Sequence, residues 1–341
     1  MLSATLSNLV TDLRPREKDV ITGRFGLDSK ERKTLAEIGN QYNITRERVR
    51  QIEAEALQKL RDRVAREKTI DALARKLYEH LENHGGLRRH DLFLKEASDL
   101  LRDENLHEWH LLLVAELTGA PRYESDEEDF HPVWYLKKER LTVARKFVVV
   151  LERLIRDKKQ ELIDEGAFSR YLKTAANKHG ISDVIGMNYV LASRRFATNP
   201  FGDVGLAHWE EVVPRTMGSR AYIVMKKHGK PLHFREIAQH INKIGFDERE
   251  ALPQTIHNEL IKDPRFVLVG RGMYGLRENG FVPGTTREVI REILKKEGPL
   301  AMQDVVNQVL RRRFLERNTI LLNLQNRKFF KRLSDGRYSV L

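Results

Sequence analysis

The residues best suited to chemistry in this sequence are polar ones at the start of a short amphipathic stretch. They are Arg46, Glu47, Arg50 and Gln51. Thr45, just before them, is a good N-cap for a helix, and Val49 and Ile52 supply the apolar face behind them. Side chains four residues apart lie in rows on one face of a helix, and Arg, Gln and Glu can bind the edges of guanine, adenine and cytosine. The pattern therefore predicts a helix that enters the major groove of DNA.

A second helix must pack across a tight corner from the first. Leu35 and Ile38 have the spacing of its buried face, and Gly39 is small where the two helices approach. Asn43 lies at the corner, and Asn tolerates a positive φ better than most residues. Further upstream, Pro15 suits the first turn of a helix and Gly26 its end. These signals predict a unit of three packed helices.

Composition limits the possible classes of protein. The chain has 341 residues and a formal net charge of +12, so we expect several domains and a polyanionic partner. It has no cysteine, which excludes disulfides, thiolate zinc sites and a cysteine nucleophile. No apolar run approaches the roughly 18 residues of a membrane span. We expect a cytoplasmic, nucleoid-associated protein that does not bind a membrane.

The sequence offers little support for an enzyme. The 12 histidines do not have the spacing of a zinc motif, and no Gly-rich phosphate loop is followed by Lys-Ser or Lys-Thr. Glu259 and Lys262 match half of a nuclease motif, but the acidic partner on a preceding strand is missing. We therefore predict no catalytic residue, metal, cofactor or small-molecule substrate.

Two blocks at the start of the chain carry a family resemblance. LRPREKDVITGRFGL at 13–27 and TLAEIGNQYNITRERVRQIEAEALQKLR at 34–61 resemble the region 4 helix-turn-helix of bacterial primary sigma factors. The resemblance implies that the protein recognises a promoter −35 element in double-stranded DNA, and that it docks on the β flap of the RNA polymerase core. It assigns base contacts to Arg46, Glu47, Arg50 and Gln51. Predicted phosphate-binding residues are Arg16, Arg24, Thr34, Thr45 and Arg48.

Two departures from a complete sigma factor keep an alternative open. Only Met1 to Asp12 precede the region 4-like segment, so we do not expect the chain to melt promoter DNA unaided. The same fold can also bind protein instead of DNA. The alternative function is an accessory module of RNA polymerase, which regulates initiation through protein contacts without base recognition.

The remaining residues form repeats with a period of roughly 60–75 residues. Each repeat has an opening helix, a Gly or Pro break, two further helices and a hairpin, which is the plan of a winged helix. We therefore predict a mainly α protein, a helix-turn-helix followed by tandem winged-helix domains with small β-hairpins. The predicted domains are 1–66, 67–139, 140–214, 215–280 and 281–341.

The third repeat carries a second resemblance. KHGKPLHFREIAQHIN at 227–242 and LPQTIHNELIKDPRFVLVGRGMYGL at 252–276 closely resemble the HARE-type helix-turn-helix family. That family includes the N-terminal domain of the RNA polymerase δ subunit, so the resemblance implies a role in transcription.

Charge separates the first repeat from the last. Repeat one has an acidic hairpin tip at 124–129, which would repel phosphate and favours a protein-contacting or spacing role. Residues 285–341 have 13 lysines and arginines against 6 aspartates and glutamates, a net charge of +7. We predict that this basic patch binds phosphates without sequence preference. Its predicted members are Arg311, Arg312, Arg313, Arg317, Arg327, Lys328, Lys331 and Arg332.

Overall fold

The computed structural model describes residues 2–27, 31–125 and 128–341. Within these ranges are 17 α-helices and ten short strands in antiparallel sheets of two or three strands. The predicted mainly α fold is confirmed. No described helix is both long and apolar enough to cross a membrane.

Four helices form the N-terminal part of the chain. They are α1 (Leu2–Thr11), α2 (Pro15–Phe25), α3 (Leu35–Tyr42) and α4 (Arg46–Glu67). The sequence interpretation missed α1, although Leu2, Leu6 and Leu9 recur at helical spacing and all three are buried. Gly26 ends α2 in the left-handed conformation at φ 65, as expected.

The corner between α3 and α4 has the predicted geometry. Asn43 adopts φ 52, and a Cβ added to Gly39 would lie only 2.7 Å from the carbonyl oxygen of Ile44. The Thr45 hydroxyl accepts the amide of Arg48 at 3.1 Å and caps α4. Each of these features is local in sequence, which is why the pattern could predict it.

The four repeats follow the N-terminal helices, and their elements occur in the following ranges. Repeat one has α5 (Thr69–Asn83), β1 (Leu87–Arg89), α6 (His90–Leu101), α7 (Glu108–Thr118), β2 (Arg122–Glu124) and β3 (Val133–Tyr135). Repeat two has α8 (Lys138–Ile155), α9 (Lys159–Glu165), α10 (Phe168–His179), α11 (Asp183–Ala192), β4 (Phe196–Thr198) and β5 (Val204–Leu206). Repeat three has α12 (Met217–His228), β6 (Leu232–His233), α13 (Phe234–Ile244), α14 (Pro253–Lys262), β7 (Phe266–Gly270) and β8 (Met273–Leu276). Repeat four has α15 (Thr286–Glu297), α16 (Met302–Arg312), α17 (Arg317–Leu324), β9 (Phe330–Arg332) and β10 (Tyr338–Val340).

The repeats share a plan but differ in their sheets. Repeats one and three have a third strand, with the orders β1-β3-β2 and β6-β8-β7. In repeat four a single bridge between Leu300 and Tyr338 takes the place of that strand. Repeat two has the additional helix α9, which the sequence interpretation did not include. The acidic tip of repeat one is described only in part, because positions 126 and 127 lie outside the described residues.

The chain packs as two compact units, residues 1–197 with 204–207 and residues 198–203 with 208–341. In the first unit, one hydrophobic core runs from Leu2 to Leu136 and includes Phe25 and Leu60 of the N-terminal helices. A smaller core of Val20, Ile38, Val49 and Ile52 lies under the α3–α4 corner. Residues 2–66 are therefore packed into repeat one and do not form a core of their own apart from it.

Repeats one and two are also joined within the first unit. The Asn188 amide, on α11, donates to the carbonyl oxygens of His84 at 2.7 Å and Leu87 at 2.5 Å, and its oxygen accepts Arg88 at 2.6 Å. Asn188 is only 2% exposed. Buried amides require such partners, so this asparagine fixes α11 against β1.

The second unit contains a separate core for each of its repeats. Tyr222, Ile237 and Tyr274 belong to the core of repeat three, and Ile293, Val306 and Phe330 belong to that of repeat four. These two winged helices each bury their own apolar faces.

Candidate nucleic-acid interface

The first two turns of α4 project their polar side chains into solvent. Arg46, Glu47, Arg50 and Gln51 are all exposed, while Val49 between them is fully buried. Helix periodicity separates the two sets, since the buried residues belong to the corner core. The helix therefore presents a charged end on a rigid support, which is the arrangement that the sequence predicted.

The predicted base-contacting residues bind one another in the free protein, in pairs that the sequence analysis did not anticipate. Arg50 pairs with Glu47 at 2.6 Å, and Arg48 donates to Gln51 at 3.0 Å. The hydrogen bond from Arg50 keeps the pKa of Glu47 below its usual value, so that Glu47 is ionised at neutral pH. Exposed pairs of this kind contribute about 0.2–0.5 kcal/mol, so a base edge can replace them at little cost.

The predicted phosphate-binding residues differ in how free they are. Thr34 and Thr45 are exposed N-caps whose oxygens accept backbone amides, at 3.2 and 3.1 Å, so that their hydroxyl protons can donate elsewhere. Arg16 is exposed, with its guanidinium 5.9 Å from the Tyr42 ring. Arg24 is more constrained, because it binds Glu53 at 3.0 Å and the Lys33 carbonyl at 2.9 Å. Its observed contacts tie α2 to α4.

The third helices of the repeats fall into two groups. Helix α7 of repeat one packs against α1, α2, α4 and α5, and α11 of repeat two packs against β1 and buries Asn188 and Tyr189. In repeats three and four, α14 and α17 each bury only two residues and expose the rest of one face. Only the second group presents the face with which a winged helix enters a groove.

The predicted basic patch of repeat four is divided by the structure. Arg327, Lys331 and Arg332 line one open cleft of ≈ 600 Å³ beside Phe330, and Lys328 and Arg311 are exposed. Arg317 is exposed and binds Gln303. Arg312 is half-buried and lies 3.4 Å from Gln308 and 3.9 Å from Glu297.

Arg313 does not belong to the accessible patch. It is only 7% exposed and donates to the carbonyl oxygens of Leu268 at 2.7 Å and Val282 at 3.3 Å. Burial lowers the pKa of its guanidinium. The expectation that it binds phosphate is wrong for this conformation, because its hydrogen-bond donors point into the protein between repeats three and four.

A second cluster of charge near α4 was missed by the sequence analysis. A cleft of ≈ 680 Å³ lies between α4 and the β2–β3 hairpin of repeat one. The arginines that line it are Arg24, Arg32, Arg50, Arg61 and Arg122. They come from four separate parts of the sequence, so no local pattern could have grouped them.

One histidine cluster was also missed. His80 and His84 lie four residues apart on α5, and with Glu96 of α6 they place their ligand atoms within 4.8 Å of one another. Glu96 already binds His80 at 2.8 Å and Arg88, so its charge is balanced by protein groups. The i, i+4 histidine pair was the signal available in the sequence.

Comparison with known proteins supports both resemblances. Residues 10–62 match the model of sigma-70 region 4, and residues 215–279 match the HARE-HTH model, which describes a helix-turn-helix domain of ASXL and restriction endonuclease proteins. The N-terminal segment is 56% identical over 61 residues to the RNA polymerase sigma factor SigA of Microcystis aeruginosa, a match that covers 18% of this chain and 15% of that protein.

More distant bacteria give the same picture. The identity is 52% over 61 residues to SigA of Clostridium acetobutylicum, across 18% of this chain and 16% of that protein. It is 48% over 60 residues to RpoD of Neisseria gonorrhoeae, across 18% of this chain and 9% of that protein. The chain thus spans less than a fifth of the length of these relatives, all within the helix-turn-helix segment.

Proposed function

We propose that this protein is a sigma-like transcription factor that recognises a −35-like promoter element through α4. The observation that carries the proposal is the exposure of Arg46, Glu47, Arg50 and Gln51 on a helix whose opposite face is locked into the corner core. Each good bidentate contact between such a side chain and a base discriminates by about 1–3 kcal/mol. The phosphate contacts of Arg16, Thr34, Thr45 and Arg48 would set the register of the helix on the duplex.

The C-terminal repeats support this role by adding affinity. Arg327, Lys331 and Arg332 provide an accessible cationic surface, and each phosphate that a protein neutralises releases counterions. Contacts of this kind do not distinguish sequences. We therefore assign base recognition to α4 and general affinity for DNA to repeat four.

RNA polymerase is the protein partner that we propose, since the similar segments belong to proteins named as RNA polymerase sigma factors. A contact with the β flap would have to use polar surface of the N-terminal helices. The apolar side chains Phe25, Leu57 and Leu60 are already packed in the shared core. Work at a promoter would place the protein on the nucleoid.

The experiment that tests base recognition compares Arg50→Ala and Gln51→Ala with wild type. A duplex is first selected by the wild-type protein from a random pool, and binding is then measured against a scrambled duplex by fluorescence anisotropy. Each substitution should reduce the preference for the selected duplex by about 5- to 150-fold, the equivalent of about 1–3 kcal/mol. Binding to core polymerase should be unchanged. If wild type bound both duplexes equally yet still bound polymerase, the accessory-module function would replace this one.

A further inference from the structure

The cleft between α4 and the β2–β3 hairpin of repeat one is a surface that neither matched segment contains alone. One wall comes from α2 and α4, with Arg24, Glu53 and Leu57, and the other comes from repeat one, with Glu116 and Arg122. The match to sigma-70 region 4 ends at residue 62. The cleft exists because the helix-turn-helix and repeat one share a core.

The cleft has an excess of positive charge. Five arginines line it together with two glutamates, Glu53 and Glu116. Arg24 is paired with Glu53 at 3.0 Å, and Arg61 with Glu116 at 3.6 Å. The remaining three arginines are Arg32, Arg50 and Arg122, and all three are exposed. The surplus of +3 at this surface favours an anion.

The floor of the cleft offers little to an apolar partner. Phe25 is 6% exposed, and Leu57 and Tyr135 are each 8% exposed. A docked amphipathic helix needs apolar anchors that it can bury, and these side chains are already buried against the protein. The accessible groups are guanidinium heads, which bind phosphate oxygens through paired N–H donors.

Arg50 connects this cleft to the proposed base-contacting surface. It lines the cleft and also belongs to the exposed end of α4. A helix in the major groove has a sugar–phosphate strand along each side. The strand on the cleft side would therefore pass the mouth formed by Arg32 and Arg122.

We propose that this cleft binds the DNA backbone beside the site that α4 recognises, with Arg32 and Arg122 as its phosphate contacts. The proposal rests on the proposed function for its choice of DNA over a free phosphate compound. It gives repeat one a role in binding, since its Arg122 extends the footprint beyond the helix-turn-helix. Glu124 and Glu128 of the same hairpin limit the footprint on the far side, because they would repel a further phosphate.

The test measures how DNA binding by the full chain depends on salt. The logarithm of the binding constant falls by about 0.9 per neutralised phosphate for each unit of log salt concentration. The double variant Arg32→Gln, Arg122→Gln should therefore reduce the slope by about 2 and keep the preference for the selected duplex. The control is Arg75→Gln, Lys76→Gln, a pair of exposed residues on α5, which should leave the slope unchanged.

Two results would overturn the proposal. One is a slope that the cleft variant shares with wild type. The other is binding of inorganic tripolyphosphate that the cleft variant abolishes while the DNA slope stays unchanged, because the cleft would then serve a free anionic ligand. Failure of base recognition is separate, since it would appear as equal binding of wild type to selected and scrambled duplexes.

Discussion

The close approach of α3 and α4 at Gly39 gives a sharp test of how the α4 surface is positioned. An alanine Cβ at this position would lie 2.7 Å from the Ile44 carbonyl oxygen, closer than ordinary van der Waals contact. Alanine also gains about 1 kcal/mol over glycine in a helix interior. Overpacking costs about 1–3 kcal/mol, and the opposing atom is backbone, which yields less easily than a side chain. We expect Gly39→Ala to destabilise the corner by on the order of 1 kcal/mol.

The functional consequence follows from the position of Ile44 in the chain. Any shift of Ile44 moves Thr45, which caps α4 at 3.1 Å through the Arg48 amide. The first turn of α4 would then open more often, and Arg46 and Glu47 would lose their fixed direction. The expected result is weaker discrimination between selected and scrambled duplexes, with the affinity for scrambled DNA preserved.

Hydrogen–deuterium exchange of the full chain measures the corner directly, because opening of this segment is local. A loss of about 1 kcal/mol should accelerate exchange of amides in 35–52 by about five-fold. Gly218→Ala is the matched control, since a Cβ there meets nothing closer than 3.6 Å. If Gly39→Ala left exchange in 35–52 unchanged or slower, the steric argument would be refuted.

Two further predictions concern the first compact unit. Asn188→Ala should lower its stability by about 2–4 kcal/mol, because two buried carbonyls and a guanidinium lose their partner, whereas Asn177→Ala at an exposed position should be within about 0.5 kcal/mol of wild type in urea unfolding. Glu17, only 5% exposed, has a lowered pKa because Lys59 binds it at 2.6 Å, against the opposing effect of burial. Its stabilisation is thus present above the usual value of 4.5 and is lost as pH falls through the lower folded pKa. Glu17→Gln should lower the urea midpoint at neutral pH and have less effect in acid, and a constant difference across this range would contradict the reasoning.

The corner of the helix-turn-helix was predictable because its determinants are local. Asn43, Gly39 and the Thr45 cap each act within a few residues, so that their chemistry is visible in the sequence. The exposed face of α4 followed from helix periodicity alone. The hairpin of repeat four was also found, although Asp335 and Gly336 lie within a five-residue connection between β9 and β10 and not in a two-residue turn.

Features that depend on distant residues could not be predicted in this way. Arg313 belongs to a run of three arginines that resembles a solvated patch, and only the packing of repeat four on repeat three buries it. The cleft beside α4 requires Arg32 and Arg122 to meet across a shared core. In both cases the sequence shows the charge, while the tertiary contacts decide its environment.

The burial of α7 and α11 changes how the repeats can be understood. Four repeats with one plan suggest four equivalent DNA-binding modules, but a third helix that packs against protein on its outer face cannot enter a groove. In repeats one and two this helix builds the support of α4 and joins the two repeats, through the shared core and Asn188. In repeats three and four it stays exposed. The repeats have therefore divided into a scaffold that fixes one base-contacting helix and a pair of modules whose own third helices remain open to a partner.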